Sequence, residues 1–208
     1  MPFVDTIPEG HETLAAKWAV FGGFVDLIAE RLADQADDAE VAVGAMDGRP
    51  IGRVGLRDFR TKFGAITWRL TTIDPGNGGV GAVTSFYRPP GSTKPSKWDR
   101  GDAAFMTEGF RRYAELDDDE GLFYLALHET AHVSRLGLLV QDACWRRYLA
   151  GGGEPTAVAY ANTPFMIYNE QVANEIVRVV AAQVGLDVLP NPTHGSPPTP
   201  MSIGLQPT

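Results

Sequence analysis

Five consecutive residues, His128-Glu129-Thr130-Ala131-His132, have types and a spacing that can do chemistry. On an α-helix, residues four apart are offset by only about 40° around the axis, so both imidazoles leave the same face. Two histidines so placed supply half of the tetrahedral ligand set that zinc prefers. A glutamate beside the first histidine can reach a water at the metal and act as its base. The chemistry this points to is metal-assisted hydrolysis.

The flanking residues have to build that helix. Asp117 with Glu120 has the spacing of a capping box ahead of the run, and Gly137 reads as a left-handed stop behind it. Residues 121–127, Gly-Leu-Phe-Tyr-Leu-Ala-Leu, are apolar on nearly every face, the pattern of a buried helix. Two imidazoles and a carboxylate in such a helix need partners, because unpaired polar groups cost free energy in the interior. A metal ion would satisfy all three.

Zinc needs at least one more protein ligand, with one position left open for water. His11 and His194 lie in segments that read as surface, and residue 138 is Leu138 where a third histidine six positions on would stand. The first candidate is therefore Glu170, in the string Asn169-Glu170-Gln171-Val172-Ala173-Asn174-Glu175. Glu170 and Asn174 are four apart and share a helix face, so the carboxylate can ligate while Asn174 accepts a hydrogen bond from a ligand imidazole. Glu175 and Glu154 are the alternatives, with Asp142 behind them.

The rest of the chain reads as α+β. Leu14, Trp18, Phe21, Val25, Ile28 and Leu32 recur at three- and four-residue steps, predicting an amphipathic helix over residues 11–35 with a kink at Gly22-Gly23. Residues 41–45, 53–59 and 65–73 are rich in β-branched and aromatic types and read as strands. Residues 74–79, Asp-Pro-Gly-Asn-Gly-Gly, are a strong turn signal, and residues 80–87 read as the returning arm of a hairpin. Residues 88–100 read as an exposed loop, 103–107 as a short edge strand, 109–116 and 138–150 as helices, and 155–160 as ambiguous. Thr163-Pro164 looks like a cap followed by proline at the first helical position, opening an apolar helix that runs to about Gly185. A single domain over residues 1–190 is expected, followed by a tail over 191–208, rich in Pro, Ser, Thr and Gly, that has little to bury.

Bulk properties remove several classes. The 208 residues carry a formal net charge of −8, against a basic nucleic-acid footprint; Arg146-Arg147 reads as a solvated face. Cys144 is the only cysteine, so no intrachain disulfide forms, and a small buried hydrophobe is its expected role. No apolar run approaches the length of a membrane span, and residues 1–10 lack the basic region and apolar core of a secretory signal, so a cytoplasmic protein is the expectation. Oligomeric state is not readable.

With these motifs the chain resembles the gluzincins, zinc metallopeptidases that carry an H-E-x-x-H helix and a downstream ligand glutamate. Asn169-Glu170 with Asn174 is similar to the second helix motif of thermolysin-like enzymes, which have aspartate at the position of Asn174. Glu170-x-x-Ala173-Asn174, followed by an apolar helix and Leu189-Pro190, is similar to the ImmA/IrrE family, intracellular regulators whose known members cleave repressors. That family has glycine before the second histidine, where this chain has Ala131, and the interval from His132 to Glu170 is longer than in either group. The resemblance implies a zincin-like domain with Zn²⁺ on His128, His132 and Glu170, and Glu129 as general base. It further implies a protein or peptide substrate paired to a sheet edge at residues 103–107 or on one arm of the hairpin over 65–87. Tyr160, Tyr168 and Arg135 are candidate oxyanion donors. The rival expectations are a catalytically silent zinc-binding regulator on the same scaffold, and a substrate-specific protease of a toxin or phage effector.

Overall fold

The stripe from Trp18 to Leu32 becomes α1 (Ala15–Ala33) in the computed structural model, which describes residues 3–72, 82–87, 100–161, 163–188, 198 and 201. A 3-10 turn, Glu12–Leu14, leads into it. Trp18, Phe21, Val25, Ile28 and Leu32 are all buried, as their spacing requires. The helix runs through Gly22-Gly23 without a break. A Cβ at Gly22 would stand 3.1 Å from the ring of Phe3, so this glycine makes room for an aromatic ring that stacks on Trp18.

Two strands follow, β1 (Glu40–Gly44) and β2 (Pro50–Gly55), paired antiparallel with Val41 opposite Val54. The strand expected over 53–59 stops at Gly55 and gives way to α2 (Leu56–Ala65). Leu56, Phe59 and Phe63 fall at i, i+3 and i+7 and are fully buried; that helical period outweighs the strand propensity of the local residues.

The second sheet is where the expected topology fails. Its strands are β3 (Ile66–Thr71), β4 (Ala82–Tyr87) and β5 (Arg100–Met106), in the order β3-β5-β4. β5 runs parallel to β3, with Ile66 opposite Gly101, and antiparallel to β4, with Ala82 opposite Phe105. β3 and β4 therefore do not pair as a hairpin, and the strand read as an edge over 103–107 is the central one. The chain does reverse between β3 and β4, but β5 fills the space between them. Phe105, fully buried against Phe21, Trp68 and Phe110, accounts for the central position. The turn signal at 74–79 and nearly all of the loop read at 88–100 lie outside the described residues; Arg100 already belongs to β5. At the outer edge of β3, Val4 N–H donates to the Trp68 carbonyl at 2.9 Å. Among the described residues no strand pairs with the outer edge of β4.

The remaining helices are α3 (Thr107–Leu116), α4 (Asp119–Val133), α5 (Arg135–Ala150), α6 (Ala157–Ala161) and α7 (Pro164–Gln183). The cap of α4 is Asp118 rather than Asp117; its carboxylate accepts from Gly121 N–H at 2.8 Å. Asp117 takes a left-handed φ of 53° and pairs instead with Lys17 of α1 at 2.6 Å. Gly137 is not the stop either. α4 ends at Ser134, whose extended ψ of 155° breaks the helix and whose hydroxyl accepts from Gly137 N–H to start α5. Gly137 lies inside α5, and a Cβ there would fall 2.0 Å from the Ala131 carbonyl oxygen. Its purpose is close backbone approach at a sharp bend. α7 begins as expected, with the Thr163 hydroxyl accepting from Met166 N–H and Pro164 in the first turn.

The result is a mixed α+β protein, mostly helical, with α4 packed among α1, α2, α5 and α7 and against β4. Of the tail, Pro198 accepts from Met46 N–H at 2.9 Å and Met201 packs against the core; its other residues lie outside the described set. No helix among the described residues is long and apolar enough to cross a membrane.

Candidate metal centre

α4 and α7 lie side by side and pass in opposite directions at the site. Two pairs of residues four apart then face each other: Tyr124 and His128 on α4, Asn174 and Glu170 on α7. His128 meets Glu170, with Nε2 3.0 Å from Oε2. His132, one turn further along α4, completes a triangle: its Nε2 is 3.1 Å from His128 Nε2 and 3.4 Å from Glu170 Oε2. Zinc bonds of about 2.0–2.1 Å at tetrahedral angles separate neighbouring ligand atoms by about 3.3 Å, which these edges match. Two imidazole nitrogens and one carboxylate oxygen form a donor set that suits zinc and its transition-metal neighbours better than calcium or magnesium. His128, His132 and Glu170 can hold a metal ion as they stand.

The electrostatics are those of a largely buried cluster. Burial pushes the Glu170 carboxyl up, but the imidazoles of His132 and His128 outweigh it and hold the group well below the usual carboxylate range. Burial opposes charge on His132, yet Glu170, with help from Glu129, raises it to about 9. Without a metal, the centre therefore stores a proton between groups that all offer lone pairs. Glu129 is buried next to the triangle without belonging to it, and its charge reaches Tyr113, Tyr124 and His132.

Around the triangle, Asn174 Oδ1 accepts from the Tyr124 hydroxyl, and that hydroxyl lies 2.7 Å from His128 Nδ1. Tyr124 was missed because it sits in the apolar run, although its place four residues before His128 puts it on the same face. Asn169, also unassigned, lies 3.5 Å from His132 Nδ1 through its side-chain nitrogen.

The other candidates separate cleanly. Glu175 is buried but bound bidentately by Arg178, at 2.6 and 2.9 Å, and is not in the cluster. Glu154 is exposed, and Asp142 pairs with Arg146 at 2.8 Å. His11 contacts Arg111, and His194 lies outside the described residues. Tyr168 is two positions before Glu170, about 200° around α7. Burial, with Cys144 next, pushes its phenol up to about 12, and smaller effects come from Arg49 and Asp47, of the turn between β1 and β2. Arg135 is exposed, and its N–H donates to Asp58 of α2 at 2.7 Å. Neither Tyr168 nor Arg135 joins the cluster. The Tyr160 hydroxyl is buried without a hydrogen-bond partner among the described residues, and burial together with the Cys144 and Glu170 charges raises its pKa. Cys144 is fully buried, its thiol pushed to about 12 by burial, and acts as a core residue.

No family model, curated protein or solved structure matches this chain.

Proposed function

We propose that the chain is a zinc-dependent peptide hydrolase built on a zincin-like arrangement. The observation that carries this reading is the triangle of His128 Nε2, His132 Nε2 and Glu170 Oε2, with edges of 3.0, 3.1 and 3.4 Å, beside the buried Glu129. Zinc on those three atoms would supply Lewis acidity, lowering the pKa of a water and polarising a scissile carbonyl. Glu129, one position along the helix from His128, would take the proton of the attacking water and deliver it to the departing amine. The Tyr160 hydroxyl, buried without a hydrogen-bond partner among the described residues and within reach of the Glu170 charge, would donate to the developing oxyanion.

Substrate pairing follows from the sheet order. The edge suggested at 103–107 is occupied on both sides, so a peptide cannot add there. β4 has a free outer edge among the described residues and lies against α4, the helix of both histidines. An extended peptide hydrogen-bonded to that edge would run past the metal centre.

The test compares the zinc-loaded protein with Glu129→Gln on a proteome-derived peptide library. Cleavage by the parent chain should fall by about 10²–10⁴ in the variant while both bind one zinc. Cleavage by Glu129→Gln at the parent rate would remove the mechanism. One zinc per chain with no cleavage by either protein would point to a binding or regulatory role.

A further inference from the structure

We infer that Tyr113 of α3 forms a side-chain subsite beside the metal centre, one that takes an aromatic side chain of the substrate. The inference rests on the metal reading above and adds what the same cleft would recognise.

The place of Tyr113 follows from a glycine. Gly121 precedes His128 by seven residues and His132 by eleven, which sets it midway between them around the α4 axis, about 20° from each. A Cβ at Gly121 would therefore leave α4 on the face of the two histidines, and it would stand 2.9 Å from Cε1 of Tyr113. The half-buried ring of Tyr113 thus occupies the space that a side chain at 121 would fill. Burial, then the charges of Asp118 and Glu129, raise its phenol. Glu129 lies eight residues past Gly121, so the hydroxyl end is turned towards the triangle. From Gly121 to His128 the helix rises about 10 Å, the reach of one extended side chain. The buried Leu125, one turn past Gly121, gives this stretch of the face an apolar floor. Glycine is a poor helix former beside alanine, and its effect here is to hand part of the histidine face to a ring from another helix.

That ring sits on fixed backbone. Asp118 N–H donates to the Tyr113 carbonyl at 2.9 Å, and Asp117 N–H to that of Ala114 at 3.4 Å. This pair of bonds closes a helix around a left-handed residue, here Asp117 with φ 53°, where glycine is usual. Lys17 of α1, 2.6 Å from Asp117 and 2.5 Å from Asp119, holds the aspartate in place. Asp118 then caps α4 through the N–H of Gly121 itself. α3 ends and α4 begins in one locked junction, and Tyr113 is placed by it. A rigid tyrosine offers a large contact area with little side-chain freedom to lose on binding. Its apolar body beside Leu125 suits a second aromatic ring, which gains from ring pairing beyond the area it buries.

Hydroxamates are the probes, because one end binds zinc and the other carries a chosen group. The full chain, loaded with zinc, is titrated calorimetrically with acetohydroxamate and with phenylacetohydroxamate, which adds one phenyl group. The parent should prefer the phenyl probe. Tyr113→Leu keeps an apolar side chain without the ring; it should cut that preference about threefold to tenfold and leave acetohydroxamate affinity unchanged. Tyr113→Phe keeps the ring and should keep the preference. No preference in the parent, a preference untouched by Tyr113→Leu, or a loss as large in Tyr113→Phe would overturn the subsite. An equal fall for both probes in Tyr113→Leu would overturn it too, because a merely structural ring affects both alike. A parent chain that takes up no zinc would instead remove the metal reading, and the subsite with it.

Discussion

Glu170→Gln is the substitution that most sharply probes the centre, because it preserves shape while removing the only anionic ligand. Two effects oppose each other. Deleting the charged partner from a buried, hydrogen-bonded cluster costs about 3–5 kcal/mol. In the parent protein, however, the cation must first displace the His132 proton. With that group at about 9, displacement at pH 7 costs about two pH units, or about 2.7 kcal/mol at 1.36 kcal/mol per unit. The variant lacks the carboxylate chiefly responsible for the raised value, so most of this competition disappears. The net loss at pH 7 is then only about 1–2 kcal/mol, a factor of roughly 5–30 in affinity.

The pH dependence carries the discrimination. A raised pKa means that the His132 proton is held below about 9 and released above it. Parent affinity for zinc should climb about tenfold per pH unit from 7 towards 9, whereas that of Glu170→Gln should stay nearly flat. By pH 9 the full cost of the missing anion is exposed, and the gap should exceed about a hundredfold. Competition against a chromophoric chelator at the two pH values measures both numbers. Equal zinc affinity for parent and variant at both pH values would exclude Glu170 as a ligand. A gap that does not widen with pH would refute the proton stored on His132.

Two further outcomes are expected. Zinc at about 100 times its dissociation constant should stabilise the fold by about 2.7 kcal/mol and raise Tm by about 5–10 °C, reversed by chelator; an unchanged Tm would argue against a preformed centre. Gly137→Ala places a Cβ 2.0 Å from the Ala131 carbonyl oxygen and 2.8 Å from that of His132, contacts that no side-chain rotation relieves. The cost should reach or exceed the ~1–3 kcal/mol typical of overpacking, lowering Tm by several degrees, and zinc affinity should fall with it because the last turn of α4 carries His132. A parent-like Tm by calorimetry would show that the bend is looser than the structure has it.

What the sequence revealed of the fold depended on the range of the interactions involved. α1 and α7 are legible because a period of apolar residues, or a Thr-Pro start, is written locally. The end of β2 and the start of α2 read as one strand over 53–59 because the period switches at Gly55-Leu56, where a lone glycine does not mark a boundary by itself. The order β3-β5-β4 is not legible at all. Whether residues 103–107 form a centre or an edge depends on which distant strand reaches them first, and a short run holds no trace of that. Gly137 shows the same limit. A glycine after a helical run reads as a left-handed stop, and nothing local distinguishes it from one that lets two backbones meet.

The site follows a related rule. His128, His132 and Glu170 could be found because each belongs to an i, i+4 pair of unusual residue types, and Glu129 because it follows the first of two histidines so spaced. Tyr124 could not, since among Leu, Phe and Ala a tyrosine reads as core, and it gains meaning only when Asn174 arrives from another helix. Because α4 and α7 run oppositely, the spacing of four from Tyr124 to His128 matches the spacing of four from Glu170 to Asn174, and both contacts form together or neither does. Shifting α7 by one residue would turn its face by about 100° and carry Glu170 and Asn174 out of reach at once. The phase of α7 is set where it begins, at the Thr163 cap and Pro164, just under two turns before Glu170. The candidate metal centre thus depends on a cap that touches none of its three residues.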